Sequence, residues 1–150
     1  IESRRRIAEE LDVGLSPLQG LKTPKVSEGA THVYYVYGII LDIEELGVAR
    51  DRIVEALRAE GVPGVVGGYQ NLHLLPLFRN KIAYGTKGFP WTLATCEVQR
   101  HYGPGLCPIA ETLHSETFLA LNICLNELPA EDVALIVKAF HKVWSQLGVL

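Results

Sequence analysis

Tyr69, Gln70 and His73 are the residues whose types and spacing best suit chemistry in this chain. They lie in GVPGVVGGYQNLHLLPLF, residues 61–78. A short apolar run ends in Gly67 and Gly68, then Tyr69, Gln70, Asn71 and His73 arrive together before the sequence turns apolar again. Polar side chains released at the mouth of a buried strand are where a ligand site is expected. Tyr69 and His73, four apart, would converge on one ligand, the histidine as donor or acid and the tyrosine through its hydroxyl. The plainer account is a surface loop whose tyrosine and histidine cap the core.

Other constellations are weaker. Gly64, Gly67 and Gly68 match neither GxGxxG nor GxxxxGK followed by Ser or Thr, so they read as turn glycines. Ser115 stands beside His114, with Glu111 and Glu116 close by, but lacks the GxSxG elbow; a solvated helix face accounts for all four. Cys107, before Pro108, sits where a helix N-terminus would favour a thiolate, yet no base can be assigned and a buried structural cysteine is the simpler account. His101 and Tyr102, in RHYGPG, belong to a loop. None of Lys22, Lys25, Lys81, Lys87, Lys138 and Lys142 ends an apolar strand among small residues, where burial would ready an amine for Schiff-base chemistry. Cys96, Cys107 and Cys124 form neither a CxxC pair nor a zinc-ligand spacing. The chain thus shows no self-sufficient catalytic set and no metal site.

The elements that must position Tyr69 and His73 belong to one domain: 150 residues can bury a real core. A formal charge of −3 leaves no basic footprint for nucleic acid, and Arg4, Arg5 and Arg6 read as the charged face of a helix. An odd cysteine count fits a reducing cytoplasm. No apolar run approaches the roughly 18 residues of a membrane span, and no signal peptide is seen. Methionine is absent and the chain opens on Ile1 inside a helical pattern, so a piece of a longer protein, cut near a domain boundary, is expected.

Along the chain, residues 2–11 read as an amphipathic helix, followed by a linker punctuated by Gly14, Pro17, Gly20 and Pro24. Residues 32–41 (HVYYVYGIIL) form a central strand, with Gly38 marking a bulge or a close backbone approach. A helix over 50–60 places Ile53, Val54 and Leu57 on one face and Gly61 at its C′ position. A strand over 62–66 leads into a stretch of about forty residues, 67–108, with no sustained periodicity. Pro108 opens a short helix through about residue 116. Residues 118–125 (FLALNICL) form a third strand. Pro129 starts the last helix, whose stripe is Val133, Ile136, Val137, Phe140 and Trp144. This order predicts an α/β or α+β two-layer domain, a small antiparallel or mixed sheet covered on one face by helices.

RRRIAEEL, THVYYVYGIIL, DRIVEALRAEGVPGVVGGYQNLHLLPLF, CPIAE, FLALNICLN and LPAEDVALIVKAFHKVW, in this order, resemble the C-terminal part of the DegT–StrS sugar aminotransferases. These are pyridoxal-phosphate enzymes of the aspartate-aminotransferase fold (fold type I). The resemblance runs from about Arg4 to Trp144. It departs at Gly68-Tyr69-Gln70-Asn71-Leu72-His73, where the family pattern is His-Tyr-x-Pro-Leu-His, and at Leu121-Asn122, where it is Leu-Pro. Tyr69 and His73 remain matched positions.

The resemblance implies an interdomain helix and linker over 1–27 and a C-terminal small domain over 28–150. A missing N-terminal large domain would hold the cofactor lysine, so this fragment alone would bind no pyridoxal 5'-phosphate and carry no catalytic residue. Its role would be to close the cleft and offer Tyr69, His73 and, more weakly, Gln70 to a nucleotide-linked keto sugar, with an amino-acid donor (glutamate) as the second substrate. The parent would be a cytoplasmic homodimer, and the 67–108 stretch would lie against the large domain or the sister subunit, leaving Phe89, Pro90 and Trp91 partly exposed in the isolated domain. A non-catalytic regulatory or assembly domain of the same ancestry is the alternative.

Overall fold

The computed structural model describes residues 1–96, 101–123 and 127–150. Helix α1 (Glu2–Leu15) buries Ile7, Ala8, Leu11 and Leu15 along one stripe. It runs past residue 11 and takes in Gly14, which reads in the sequence as linker punctuation. Packing is the reason. A Cβ built at Gly14 would lie 2.5 Å from Val137 Cγ2, so the glycine admits a close helix–helix approach that outweighs its poor helix propensity.

Strand β1 (Leu21–Lys22) pairs antiparallel with β2 (Tyr37–Leu41). The second strand starts five residues later than expected. Tyr34 adopts φ +45°, and its N–H donates to His32 Nδ1 at 2.8 Å, so a turn wins over the β-propensity of HVYY. Tyr37, Ile39 and Leu41 are buried on one face of β2, while Gly38 and Ile40 alternate with them and are half-buried. Gly38 marks a close approach, not a bulge: a Cβ there would meet the Phe118 ring at 2.8 Å, and the ladder continues unbroken through it.

Helix α2 (Ile43–Leu46) is capped by Asp42, whose carboxylate accepts the Glu45 N–H at 3.2 Å. Helix α3 (Arg50–Ala59) buries Ile53, Val54 and Leu57 as expected. It ends in a Schellman arrangement, Gly61 N–H to Arg58 O and Val62 N–H to Leu57 O, both 3.0 Å. Strand β3 (Val65–Gly67) is shorter and later than the expected 62–66, because Pro63 has no N–H for the ladder and Gly64 sits at φ +64°.

By contacts, Ile1–Gly68 with Ser115–Leu150 forms one compact unit and Tyr69–His114 a second. The second unit holds a 3₁₀ turn (Leu72–Leu74), α4 (Pro76–Arg79) and α5 (Pro108–Thr112), with Pro108 at the first helical position as expected. Its aromatic side chains are partly buried and partly exposed. Trp91 packs edge-on to Phe78, with ring centroids 6.2 Å apart, and its Nε1 donates to Tyr102 Oη at 3.1 Å. Phe89 remains exposed beside Tyr84, at 5.6 Å between rings.

Strand β4 (Phe118–Leu121) and helix α6 (Ala130–Trp144) complete the first unit. The end of the expected strand, at Cys124 and Leu125, lies outside the described residues. The four strands form one antiparallel sheet in the order β1-β2-β4-β3, with Leu121 opposite both Tyr37 and Val65. Tyr37, Ile39, Leu41, Leu119, Leu121 and Val65 join Ile7, Leu11, Ile53, Leu57, Ile136 and Phe140 in one core. The fold is α+β: helices packed on a small antiparallel sheet.

A polar bond crosses this core. The fully buried Tyr37 donates its hydroxyl to Asp12 Oδ1 at 2.6 Å. Burial, then the Asp12 hydrogen bond, push the Tyr37 phenol far above its ordinary value of 10.0. Tyr37→Phe should cost about 1.5–3 kcal/mol at neutral pH, the range for a hydrogen bond to a charged group. Because the folded phenol resists ionisation, the wild type also loses stability once the unfolded tyrosine ionises above about pH 10. Urea unfolding at neutral and alkaline pH should show Tyr37→Phe to be weaker at the first and less steeply affected at the second.

Candidate functional site

Where β3 ends, the backbone is tied down within the first unit. Gly68 N–H donates to Phe118 O at 2.8 Å, and Arg50 Nη1 reaches the same carbonyl at 3.4 Å. Arg50 is buried, its Nε and Nη2 both held by Asp51 Oδ1, at 2.9 and 2.7 Å. A Cβ at Gly67 would come within 2.8 Å of Arg50 Nε, so this glycine is required by space. The strand mouth is thus fixed by a guanidinium lying under its last residue.

Within the second unit, the backbone N–H of Tyr69 donates to His114 Nδ1 at 3.2 Å. Tyr69 is 63% exposed and Gln70 is exposed beside it, both presenting polar groups to solvent. His73 is placed differently. It sits on the 3₁₀ turn, only 9% exposed, with Nε2 2.8 Å from Glu111 Oε1. Tyr69 and Gln70 therefore share an open environment, and His73 occupies an enclosed one with a carboxylate partner.

Glu111 is the residue that sequence reasoning passed over as part of a solvated helix face. Its carboxylate reaches back over the start of α5. It accepts Gly105 N–H at 2.8 Å through Oε2, and Cys107 N–H at 3.1 Å through Oε1. These backbone bonds, Gly105 first, then Cys107 and then His73, hold its carboxyl below the ordinary value of 4.5. The signal was present in CPIAE: a glutamate one turn into a proline-started helix can return to the cap residue, as in a capping box. Its histidine partner, 38 residues away, carried no signal.

Cys107 corrects another expectation. It is exposed, not buried, and as the cap residue of α5 its N–H is taken by Glu111. Tyr102 belongs to the aromatic cluster with Phe78 and Trp91. Among the described residues no group of three or more His, Cys, Asp or Glu side chains is arranged to hold a metal ion. No helix among them is long and apolar enough to cross a membrane. The second unit offers exposed hydroxyl and amide groups at Tyr69 and Gln70, and an imidazole whose orientation is set by a carboxylate.

The model of the DegT/DnrJ/EryC1/StrS aminotransferase family matches residues 1–108. Over 87 residues, 58% of this chain, the sequence is 28% identical to the uncharacterized protein MJ1066 of Methanocaldococcus jannaschii. Over the same share it is 26% identical to the spore coat polysaccharide biosynthesis protein SpsC of Bacillus subtilis. Each match spans 22% of the relative's own length. Among solved structures, the aminotransferase TlmJ of Streptoalloteichus hindustanus superposes with a TM-score of 0.67 at 24% identity. That superposition covers 99% of this chain and 33% of TlmJ, and shows a shared fold.

The Glu111 contacts carry a pH test. A carboxyl whose folded value is lowered contributes stability above its unfolded value of about 4.5, and loses it as pH falls through the folded value. Hydrogen-exchange protection at the Gly105 and Cys107 amides, corrected for intrinsic rates, should therefore fall in acid. Glu111→Ala should abolish the same protection at neutral pH and leave no acid transition at these two amides.

Proposed function

The chain belongs to the DegT/DnrJ/EryC1/StrS aminotransferase family, and on that premise we propose that it is the C-terminal small domain of a pyridoxal-phosphate enzyme that aminates a nucleotide-linked keto sugar. In this reading residues 1–27 are the interdomain helix and linker, and 28–150 the small domain. The observation that carries it is one of extent: nearly the whole chain corresponds to one third of an aminotransferase. The sugar assignment draws on the relative named for spore coat polysaccharide biosynthesis.

The cofactor does not fit this chain alone. Lys22, Lys25, Lys87, Lys138 and Lys142 are exposed and Lys81 is half-buried, with Lys142 paired to Glu60 at 2.7 Å and Lys22 lying 3.8 Å from Asp42. An amine kept in water stays protonated and is a poor Schiff-base partner. The cofactor, an electron sink for carbanions, would be held by the large domain. This chain's share is recognition: Tyr69 and Gln70 through exposed polar groups, and His73 through its imidazole. Nine of the sixteen exposed large apolar side chains among the described residues belong to Tyr69–His114, which supports a covering partner there, the large domain or the sister subunit of a cytoplasmic homodimer.

In the full-length enzyme, Tyr69→Phe and His73→Ala should each lower kcat/KM for the sugar by about threefold to tenfold, the worth of one hydrogen bond. The glutamate half-reaction should be unchanged, and the thermal midpoint of Tyr69→Phe, at an exposed residue, should stay close to wild type. A collapsed midpoint with normal specific activity would return both residues to a structural role.

Pyridoxal phosphate followed by borohydride should trap one lysine in the full-length protein, outside these 150 residues, and none in stoichiometric yield within them. Full-yield trapping at any of the six lysines here would overturn the assignment, and no trapping anywhere would favour the non-catalytic alternative.

A further inference from the structure

The His73–Glu111 pair has a directionality that its distance alone does not express. Glu111 cannot turn freely, because both its oxygens are already fixed by backbone donors: Oε1 by Gly105 (3.0 Å) and Cys107 (3.1 Å), and Oε2 by Gly105 (2.8 Å). A carboxylate so held is an acceptor only. At 2.8 Å from Oε1, His73 Nε2 must therefore be the donor, since a bare lone pair there would face an anionic oxygen with no proton between them. A neutral imidazole has one N–H, so Nδ1 is left with its lone pair.

The other side of the ring completes the case. Nδ1 has no hydrogen-bond partner among the described residues. Yet no buried side-chain nitrogen or oxygen among them lacks a partner. Nδ1 is therefore reachable from outside, although the residue as a whole is only 9% exposed. A neutral imidazole in a residue this enclosed, with Nε2 bound to Glu111 and Nδ1 left without a partner, is built to accept a hydrogen bond at Nδ1. It would repel a carboxylate or phosphate oxygen, which brings a second lone pair.

We infer that Glu111 is a positioning residue for His73, holding the proton on Nε2 so that Nδ1 accepts a hydrogen bond from a sugar hydroxyl. This rests on the sugar-binding reading under Proposed function and sharpens it. His73 selects for hydroxyl donors on the sugar, not for the anionic nucleotide part. Glu111, which touches no ligand, sets that preference through the tautomer.

The test is nitrogen NMR of the intact protein labelled with 15N-histidine. His73→Gln assigns its resonance among those of all the histidines of the full-length protein. The wild type at neutral pH should show His73 with a pyrrole-type Nε2, a pyridine-type Nδ1 and an exchange-protected Hε2. Glu111→Ala should lose the protected proton and average the tautomers, and Glu111→Gln, which keeps an acceptor oxygen, should restore the Nε2–H form. A protonated Nδ1 in the wild type, or an unchanged Glu111→Ala spectrum, overturns the positioning role. UDP-glucose, GDP-mannose and dTDP-glucose are then added, with the matching nucleoside diphosphates as controls. A sugar-dependent upfield shift of Nδ1 supports the inference. A sugar nucleotide that binds, perturbing other resonances, without moving Nδ1 overturns the hydroxyl contact. No binding by any of the three in a protein with the expected tautomer fails the sugar-binding reading itself, and the inference that rests on it.

Discussion

The hydroxyl of Tyr37, placed at the centre of the sheet with no access to water, needs an acceptor, and the acceptor is on another element. Asp12 of α1 supplies it at 2.6 Å. Burying a hydroxyl without a partner would cost several kcal/mol, so this bond fixes how α1 may rotate and slide over β2. With Asp12 turned toward the strand, Ile7, Leu11 and Leu15 fall into the core and Gly14 comes to face Val137. The tight α1–α6 crossing follows. Helix α6 in turn covers the sheet with Val133, Ile136 and Phe140. A helix layer that could otherwise slide on an oily sheet is given one register.

The second unit is held by a different principle. Tyr69–His114 contains no strand among its described residues and only short helical turns. Its cohesion comes from a carboxylate gathering donors at Gly105, Cys107 and His73, and from three aromatic rings meeting at Phe78, Trp91 and Tyr102. Such contacts are directional, and the His73–Glu111 and Phe78–Tyr102 contacts join residues far apart in sequence. They give a loop-rich segment definite geometry where a hydrophobic core of its own would be too small.

That contrast explains what could be read from the amino-acid order. Helices α3 and α6, and the cores of β2 and β4, announce themselves because an apolar pattern over four to fifteen residues is a local property. Strand β1 and helix α2 are too short to show a period. The stretch before Tyr37 has strong β character but is bent by the side chain of His32, a competition that propensity does not weigh. Tyr69 and Gln70 were legible as an exposed polar pair after two glycines. Glu111 was visible as an acidic residue near a helix start but not as the partner of His73, since pairing across 38 residues is a product of tertiary structure.

Strands β3 and β4 are hydrogen-bonded neighbours running antiparallel, and a two-residue turn would suffice to join them. The chain instead places the whole of Tyr69–His114 between them in sequence, while Gly68 and Phe118 stay hydrogen-bonded within the first unit. The entropic charge for so long a connection is small, about 0.6 kcal/mol per doubling of length, or about 3 kcal/mol over a tight hairpin. Mutation can therefore lengthen, shorten or replace the insert while the four-stranded sheet goes on folding as before. The residues of the insert and the residues that make the sheet are free to evolve at different speeds, and a scaffold of this kind can diversify the first without first renegotiating the stability of the second.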